Sequence, residues 1–328
     1  MEKNLTNPST EEAILHALKT RSGAYVSGEE LSRVVGVSRT AIWKEIQKLR
    51  SEGYKILAQP HTGYHLVGIP DRMIPQELTW NLPTQRIGRR VYAYETTEST
   101  MNVAHRLAGA GEPEGSVVVA EGQERGRGRL GRNWVSPKGK GIYASVILRP
   151  ALQLSEAPLM TLMAAVAVAK AVQDQTGLIP EIKWPNDLLI DGKKVSGILT
   201  ELSGELNRIH YVIIGIGLNV NTPASSLPSH ATSLAEQAGR KIDRVAVARS
   251  LLVELDRVYR LFSQRQFGSI LESWRQFAGF LGKRVRVVIE GRSVDGQAMD
   301  VDSSGALMVR TDAGFVESLP AGEVLVVR

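Results

Sequence analysis

The 328-residue chain contains no cysteine. That absence excludes disulfides, thiolate zinc sites and cysteine nucleophiles, and it predicts a reducing, cytoplasmic setting. The first residues, Met-Glu-Lys-Asn-Leu-Thr-Asn-Pro, lack the apolar core of a signal peptide. The longest apolar run, over 159–172, is too short for a bilayer span and is interrupted by Lys170, so no membrane association is expected. Internal repeats and low-complexity segments are also missing. What remains, 43% hydrophobic and 23% charged residues, is the composition of a globular protein long enough for two or three domains.

The net charge of +6 is unevenly spread. Residues 122–140 hold six cations (Arg125, Arg127, Arg129, Arg132, Lys138 and Lys140) against one acid, Glu124, whereas residues 1–68 hold nine cations against seven acids. A patch concentrated in mid-chain points to one anionic ligand rather than a broad nucleic-acid surface. Within it, arginines alternate with Gly126, Gly128 and Gly131, pairing a backbone that can approach a ligand with planar cationic forks suited to phosphate. The spacing also satisfies G-x-G-x-x-G, but a dinucleotide fingerprint must open a helix. Asn-Trp-Val-Ser-Pro-Lys-Gly-Lys-Gly follows here and cannot be one.

Residues 9–68 read as three short helices and a hairpin. Ser9 with Glu12, and Ser27 with Glu30, are capping-box signatures. Ser38 caps a third helix with Ile42, Ile46 and Leu49 on its core face. Ser38 itself with Arg39, Thr40, Trp43, Lys44, Gln47 and Lys48 forms a face able to touch phosphates and base edges. With a β-wing across 54–67, this order describes a winged helix-turn-helix.

Beyond a proline-bearing boundary at 68–85, strands and a few helices alternate. Glu98-Ser99-Thr100 is expected to cap a helix to about Leu107, and the strand 116–121 delivers the basic loop. An alanine-rich helix is predicted over 158–175. Lys183-Trp184-Pro185-Asn186-Asp187 precedes a hairpin turning at Asp191-Gly192, and the return strand carries Lys194 and Gly197. In the strand 211–220, Gly215 and Gly217 leave one face bare for a flat ligand or another backbone, or mark a bulge. After a Pro/Ser-rich loop over 221–231, helix is expected at 233–238 and from about Arg244 to Phe277, and short strands from Gly282 onward.

Taken together, the winged helix, Glu98-Ser99-Thr100, Gly126-Arg127-Gly128-Arg129, Lys183-Trp184-Pro185-Asn186-Asp187, Lys194 with Gly197, and Gly215-Ile216-Gly217-Leu218-Asn219 resemble the bifunctional biotin–protein ligase and biotin-operon repressor family. The resemblance covers essentially the whole chain. It implies an α+β protein with a DNA-binding domain at 1–68, a mixed-sheet catalytic domain at 69–280 related to class II aminoacyl-tRNA synthetases, and an SH3-like barrel at 281–328. It implies ATP, biotin and Mg²⁺, a biotin carboxyl carrier protein as acceptor, operator DNA, and a homodimer. Lys194, Arg129 and Asp187 are the implied catalytic set. Ser99, Thr100, Met101, Gln123, Arg127, Gly128, Gly197, Leu199 and Gly217 join Arg129 and Lys194 around biotin. Arg127, Arg129, Arg132, Trp134, Lys183, Asn186, Asp187 and Asn219 would hold the nucleotide. Met101 departs from the asparagine common in the family, and the loop after Asn219, Val-Asn-Thr-Pro-Ala-Ser-Ser-Leu-Pro, carries no tryptophan to cover an adenine. A sensor that no longer catalyses and a ligase for lipoate are the alternatives.

Overall fold

In the computed structural model, residues 9–21, 23–205, 208–289 and 291–327 are described. The chain divides into two compact units, 1–71 and 72–328.

The first unit holds α1 (Thr10–Thr20), α2 (Gly28–Val35), α3 (Arg39–Ser51), β1 (Lys55–Gln59) and β2 (Gly63–Gly68). Ser9 and Glu12 close a reciprocal capping box, and Ser27 and Ser38 accept from the backbone N–H groups of Glu30 and Ala41. Each such cap contributes about 1 kcal/mol. Ile42, Ile46 and Leu49 of α3 are buried with Ile14, Leu18 and Leu31. The β1–β2 hairpin is antiparallel, as expected of a wing.

The second unit begins with α4 (Pro75–Thr79), β3 (Val91–Thr97), α5 (Thr100–Gly109) and β4 (Val117–Gln123). The short β5 (Gly126–Arg127) and β6 (Asn133–Trp134) pair with each other across the basic loop, and β7 (Gly141–Leu148) and α6 (Ala157–Thr176) follow. Then come β8 (Glu181–Lys183), β9 (Asp187–Ile190), β10 (Lys193–Glu205), β11 (Arg208–Asn219) and α7 (Leu234–Ala238). Two helices, α8 (Arg244–Ser263) and α9 (Phe267–Phe277), stand where one was expected. The break falls at Arg265, whose φ of 58° is left-handed and cannot continue a right-handed helix.

Seven strands form the central mixed sheet, in the order β3-β4-β7-β11-β10-β9-β8, with β3 and β4 parallel and the other pairs antiparallel. The β9–β10 turn has positive φ at both Asp191 (49°) and Gly192 (72°), the conformation that the Asp-Gly pair favours. One face of the sheet packs on α6, with α8 and α9 behind it, and from Leu159 to Val172 nearly every α6 side chain is buried. The helical stretch Leu154–Thr176 is long and apolar enough to cross a membrane by length and composition alone, but most of it is buried inside the protein. Here its apolar surface is spent on the sheet and α8 instead. The other face carries α5, through Met101, Val103, Ala104 and Ala108.

The last strands, β12 (Arg284–Ile289), β13 (Arg292–Val301), β14 (Leu307–Thr311), β15 (Val316–Leu319) and β16 (Glu323–Val326), form a five-stranded antiparallel sheet consistent with an SH3-like barrel. It is tied to the segment between β8 and β9 of the central sheet, where the buried Trp184 indole donates to the Gly305 carbonyl at 3.1 Å.

Candidate active site

Alternation along β10 and β11 sends Gly197, Leu199 and Glu201, with their partners Gly217, Gly215 and Ile213, to the sheet face that α5 covers only in part. The uncovered end of that face floors a cavity of about 680 Å³. All seventeen ligand-site residues expected from sequence line it: Ser99, Thr100, Met101, Gln123, Arg127, Gly128, Arg129, Arg132, Trp134, Lys183, Asn186, Asp187, Lys194, Gly197, Leu199, Gly217 and Asn219.

The bare glycine face has a specific occupant. A Cβ on Gly217 would lie 2.4 Å from the Trp134 ring, and one on Gly197 would lie 3.0 Å from it. A Cβ on Gly215 would meet the Met101 sulfur at 2.5 Å. The flat group on these glycines is therefore the protein's own indole, while Met101 fills the space above Gly215.

Lys194 stands beside that indole, its ammonium 5.5 Å from the ring centroid and 2.7 Å from Asp187 Oδ1. Its backbone is held by the 221–232 segment, donating to the His230 carbonyl at 2.9 Å and accepting from Thr232 N at 2.8 Å. A lysine tip is flexible, so a fixed backbone and a carboxylate partner are what give this one a definite position.

Arg129 donates to Asn186 Oδ1 at 2.8 Å. Burial pushes its guanidinium pKa down, opposed by the nearby Asp187 and Glu323 carboxylates, yet arginine stays charged at any working pH. Arg132 pairs with Glu323 at 3.0 Å, and Lys183 lies 3.8 Å from the same carboxylate. The hydrogen bond from Arg132 holds the Glu323 pKa below the usual carboxylate range. Arg127 is bound to Glu201.

A polar cluster continues along the cavity wall. Thr100 donates to Gln123 Oε1 from its backbone N–H at 2.9 Å and from its hydroxyl at 3.1 Å, and Gln123 Nε2 donates to Ser136 Oγ at 2.9 Å. Ser145 supports Thr100 from below at 2.8 Å. Ser99 is the N-cap of α5 as expected, but its hydroxyl makes no cap bond; fully buried, it has no partner among the described residues. The Trp134 indole N–H and Asn219 Oδ1 are likewise buried and unpartnered among the described residues. Unsatisfied buried polar atoms are costly, so three around one cavity mark places where a ligand's polar groups fit. Glu323, Glu201, Ser136 and Ser145 were missed in the sequence because no local motif joins them to the basic loop.

In the first unit Ser38, Arg39, Thr40, Trp43, Lys44 and Lys48 are exposed and Gln47 is half-buried. Lys48 is engaged by Glu11 at 2.5 Å, which leaves Lys44 the less encumbered cation of that helix face.

Three family models match the chain: the biotin/lipoate A/B protein ligase family over residues 93–219, an HTH domain over 10–65, and the biotin protein ligase C terminal domain over 280–327. The chain is 40% identical to the bifunctional ligase/repressor BirA of Bacillus subtilis over 89% of this chain and 91% of that one. It is 30% identical to the Escherichia coli protein of the same name over 92% and 93% of the two chains. A biotin protein ligase from Aquifex aeolicus, solved in complex with biotin and ATP, superposes with a TM-score of 0.63 at 30% identity, covering 73% of this chain and 99% of that one. With all three segments matched in order and the similarity running nearly end to end, the chain belongs to the biotin protein ligases of the bifunctional ligase/repressor type.

Proposed function

We propose that the cavity condenses biotin with ATP to biotinoyl-5′-adenylate and then passes biotin to a lysine of a biotin carboxyl carrier protein. A biotin carboxylate oxygen attacks the α-phosphorus and pyrophosphate leaves. The acceptor amine then attacks the acyl carbon of the mixed anhydride, and AMP leaves. Two anions must meet in the first step, so the protein's part is positioning and charge neutralisation rather than nucleophilic catalysis.

The observation that carries the reading is the Lys194–Asp187 pair beside the Trp134 ring, in the same cavity as the Ser99–Thr100–Gln123 cluster. Lys194 bridges the biotin carboxylate and the α-phosphate. Ser99 and the second amide N–H of Gln123 serve the ureido head. Arg127 and Arg129 hold the phosphates, with Arg132, Lys183, Asn186 and Asn219 around the nucleotide, and Asp187 orients the incoming amine. Mg²⁺ would accompany ATP and help to neutralise the charge of its phosphates. The absence of cysteine fits a cytoplasmic setting.

The deciding experiment is pyrophosphate release by the full chain with Mg-ATP and biotin, lipoate or no acid. Release that depends on biotin supports the reading. Release with lipoate alone changes the substrate, and release with neither favours a sensor. Replacing Arg129 with glycine removes a guanidinium that also holds Asn186, and the adenylate should escape into solution at least about tenfold faster if one charge-assisted contact is lost. Normal retention would remove Arg129 from the phosphate site.

The winged helix-turn-helix is assigned to repression at an operator. One recognition helix reads a half-site, so a homodimer places two α3 helices about 34 Å apart on DNA. Lys44→Ala should weaken binding across all sequences and lower the salt slope by roughly one, with Lys48→Ala the milder change because Glu11 already holds that ammonium. Equal slopes for wild type and Lys44→Ala would mean that this face does not meet phosphates.

A further inference from the structure

We infer that Glu201 is a positioning residue for adenylate retention, acting through Arg127. The inference rests on the assignment of Arg127 to the phosphates.

Arg127 lies between Gly126 and Gly128 on the two-residue strand β5, so its backbone supplies little stiffness and its side chain must be fixed by what it touches. Its Nη2 donates to Glu201 Oε2. Arg127 lines the cavity and Glu201 does not, so the carboxylate stands outside the ring of lining residues and backs the guanidinium. A guanidinium has five N–H donors, and one held from behind leaves the others for an anion in front.

Glu201 is itself held. It lies on the same β10 face as Gly197 and Leu199, opposite Ile213. On α5, His105 is one turn beyond Met101. Met101 reaches Gly215, and His105 Nε2 reaches the same Glu201 oxygen at 2.7 Å. The edge of the His105 ring packs on Tyr211, with centroids 5.8 Å apart, and the Tyr211 hydroxyl is 3.5 Å from Nδ1. An imidazole with its proton on Nε2 therefore donates to the carboxylate that orients the loop arginine. Three segments remote in sequence, α5, β5 and β10, meet on one oxygen. Of the two groups that meet this oxygen, Arg127 lines the cavity and His105 does not, so the arrangement acts on the site through Arg127.

The test uses preformed enzyme–adenylate complex of the full chain and follows the dissociation of labelled biotinoyl-adenylate for wild type, Glu201→Gln, Arg127→Met and the double variant. Glu201→Gln keeps the shape and removes the charge, and the adenylate should leave on the order of tenfold faster, as the loss of one charge-assisted anchor implies. The thermal transition should stay at the wild-type level, so faster escape reports the loss of an anchor and not of the fold. The double variant should be no faster than Arg127→Met alone, because the two residues act as a unit. Wild-type retention in Glu201→Gln, or an effect of Glu201→Gln that persists in full on the Arg127→Met background, overturns the inference and leaves the role of Arg127 standing. Wild-type retention in Arg127→Met overturns both.

Discussion

Lys194→Ala slows biotin-dependent pyrophosphate release by on the order of 10²-fold or more, the scale found when a preorganised group facing developing charge is removed. The geometry makes the loss twofold in kind. The ammonium is the cation nearest Asp187, at 2.7 Å, so its removal takes away neutralisation and also leaves that carboxylate unbalanced beside two anionic substrates. Asp187→Asn on the Lys194→Ala background should therefore recover part of the first-step rate while leaving transfer to the acceptor lysine slow. Single-turnover measurement separates the steps. A Lys194→Ala enzyme that releases pyrophosphate at the wild-type rate would take this residue out of the chemistry. A second substitution that only adds to the damage would mean that Asp187 and Lys194 do not share one electrostatic task.

Arg244→Met should lower the stability of the second unit by about 3–5 kcal/mol, the cost of leaving a buried charge without its partner. Arg244 and Glu121 are 1% and 8% exposed, with their nearest atoms 3.0 Å apart. Arg244 also donates to the Gly141 carbonyl at 3.1 Å, and Glu121 accepts from Met73 N at 2.5 Å. The pair joins the start of α8 to β4, two residues before Gln123, so the loss should also weaken biotin binding. Urea unfolding followed by a probe in the second unit measures it. Pairing Arg244→Met with Glu121→Leu removes both charges and should restore most of the lost stability, since a buried ion pair contributes little over an apolar replacement. A single variant within about 0.5 kcal/mol of wild type would mean that the pair is solvated in solution.

These predictions draw on residues of unequal legibility. Caps at Ser9, Ser27 and Ser38, and the Asp191-Gly192 turn, are local features in which a few neighbouring residues decide the conformation, and the sequence reading of each matches the structure except that the box expected at Ser27 and Glu30 is only half formed, the Glu30 carboxylate pairing with Arg21 instead. The basic loop was visible because glycine and arginine alternate too regularly for a helix or strand. Ser99 stands at the N-cap of α5 as the sequence suggests, but its hydroxyl takes no backbone N–H and is buried at the cavity instead, which no local motif shows. The helix break at Arg265 has no glycine or proline to announce it. Trp134 on Gly217, Glu201 behind Arg127 and Glu323 on Arg132 join segments far apart along the chain. No periodicity or spacing encodes such contacts, which depend on the closed sheet and docked barrel.

The part of the cavity wall contributed by the C-terminal barrel, Val288, Ile289 and the 321–323 turn with Glu323, bears on synthesis. A ribosome has made Ser99, the basic loop and Lys194 long before it reaches this wall. A growing chain thus carries the groups assigned to biotin and phosphate without the carboxylate that holds Arg132 and faces Lys183. The site closes only after those late residues emerge and fold, so a nascent chain lacks a complete pocket in which to activate biotin.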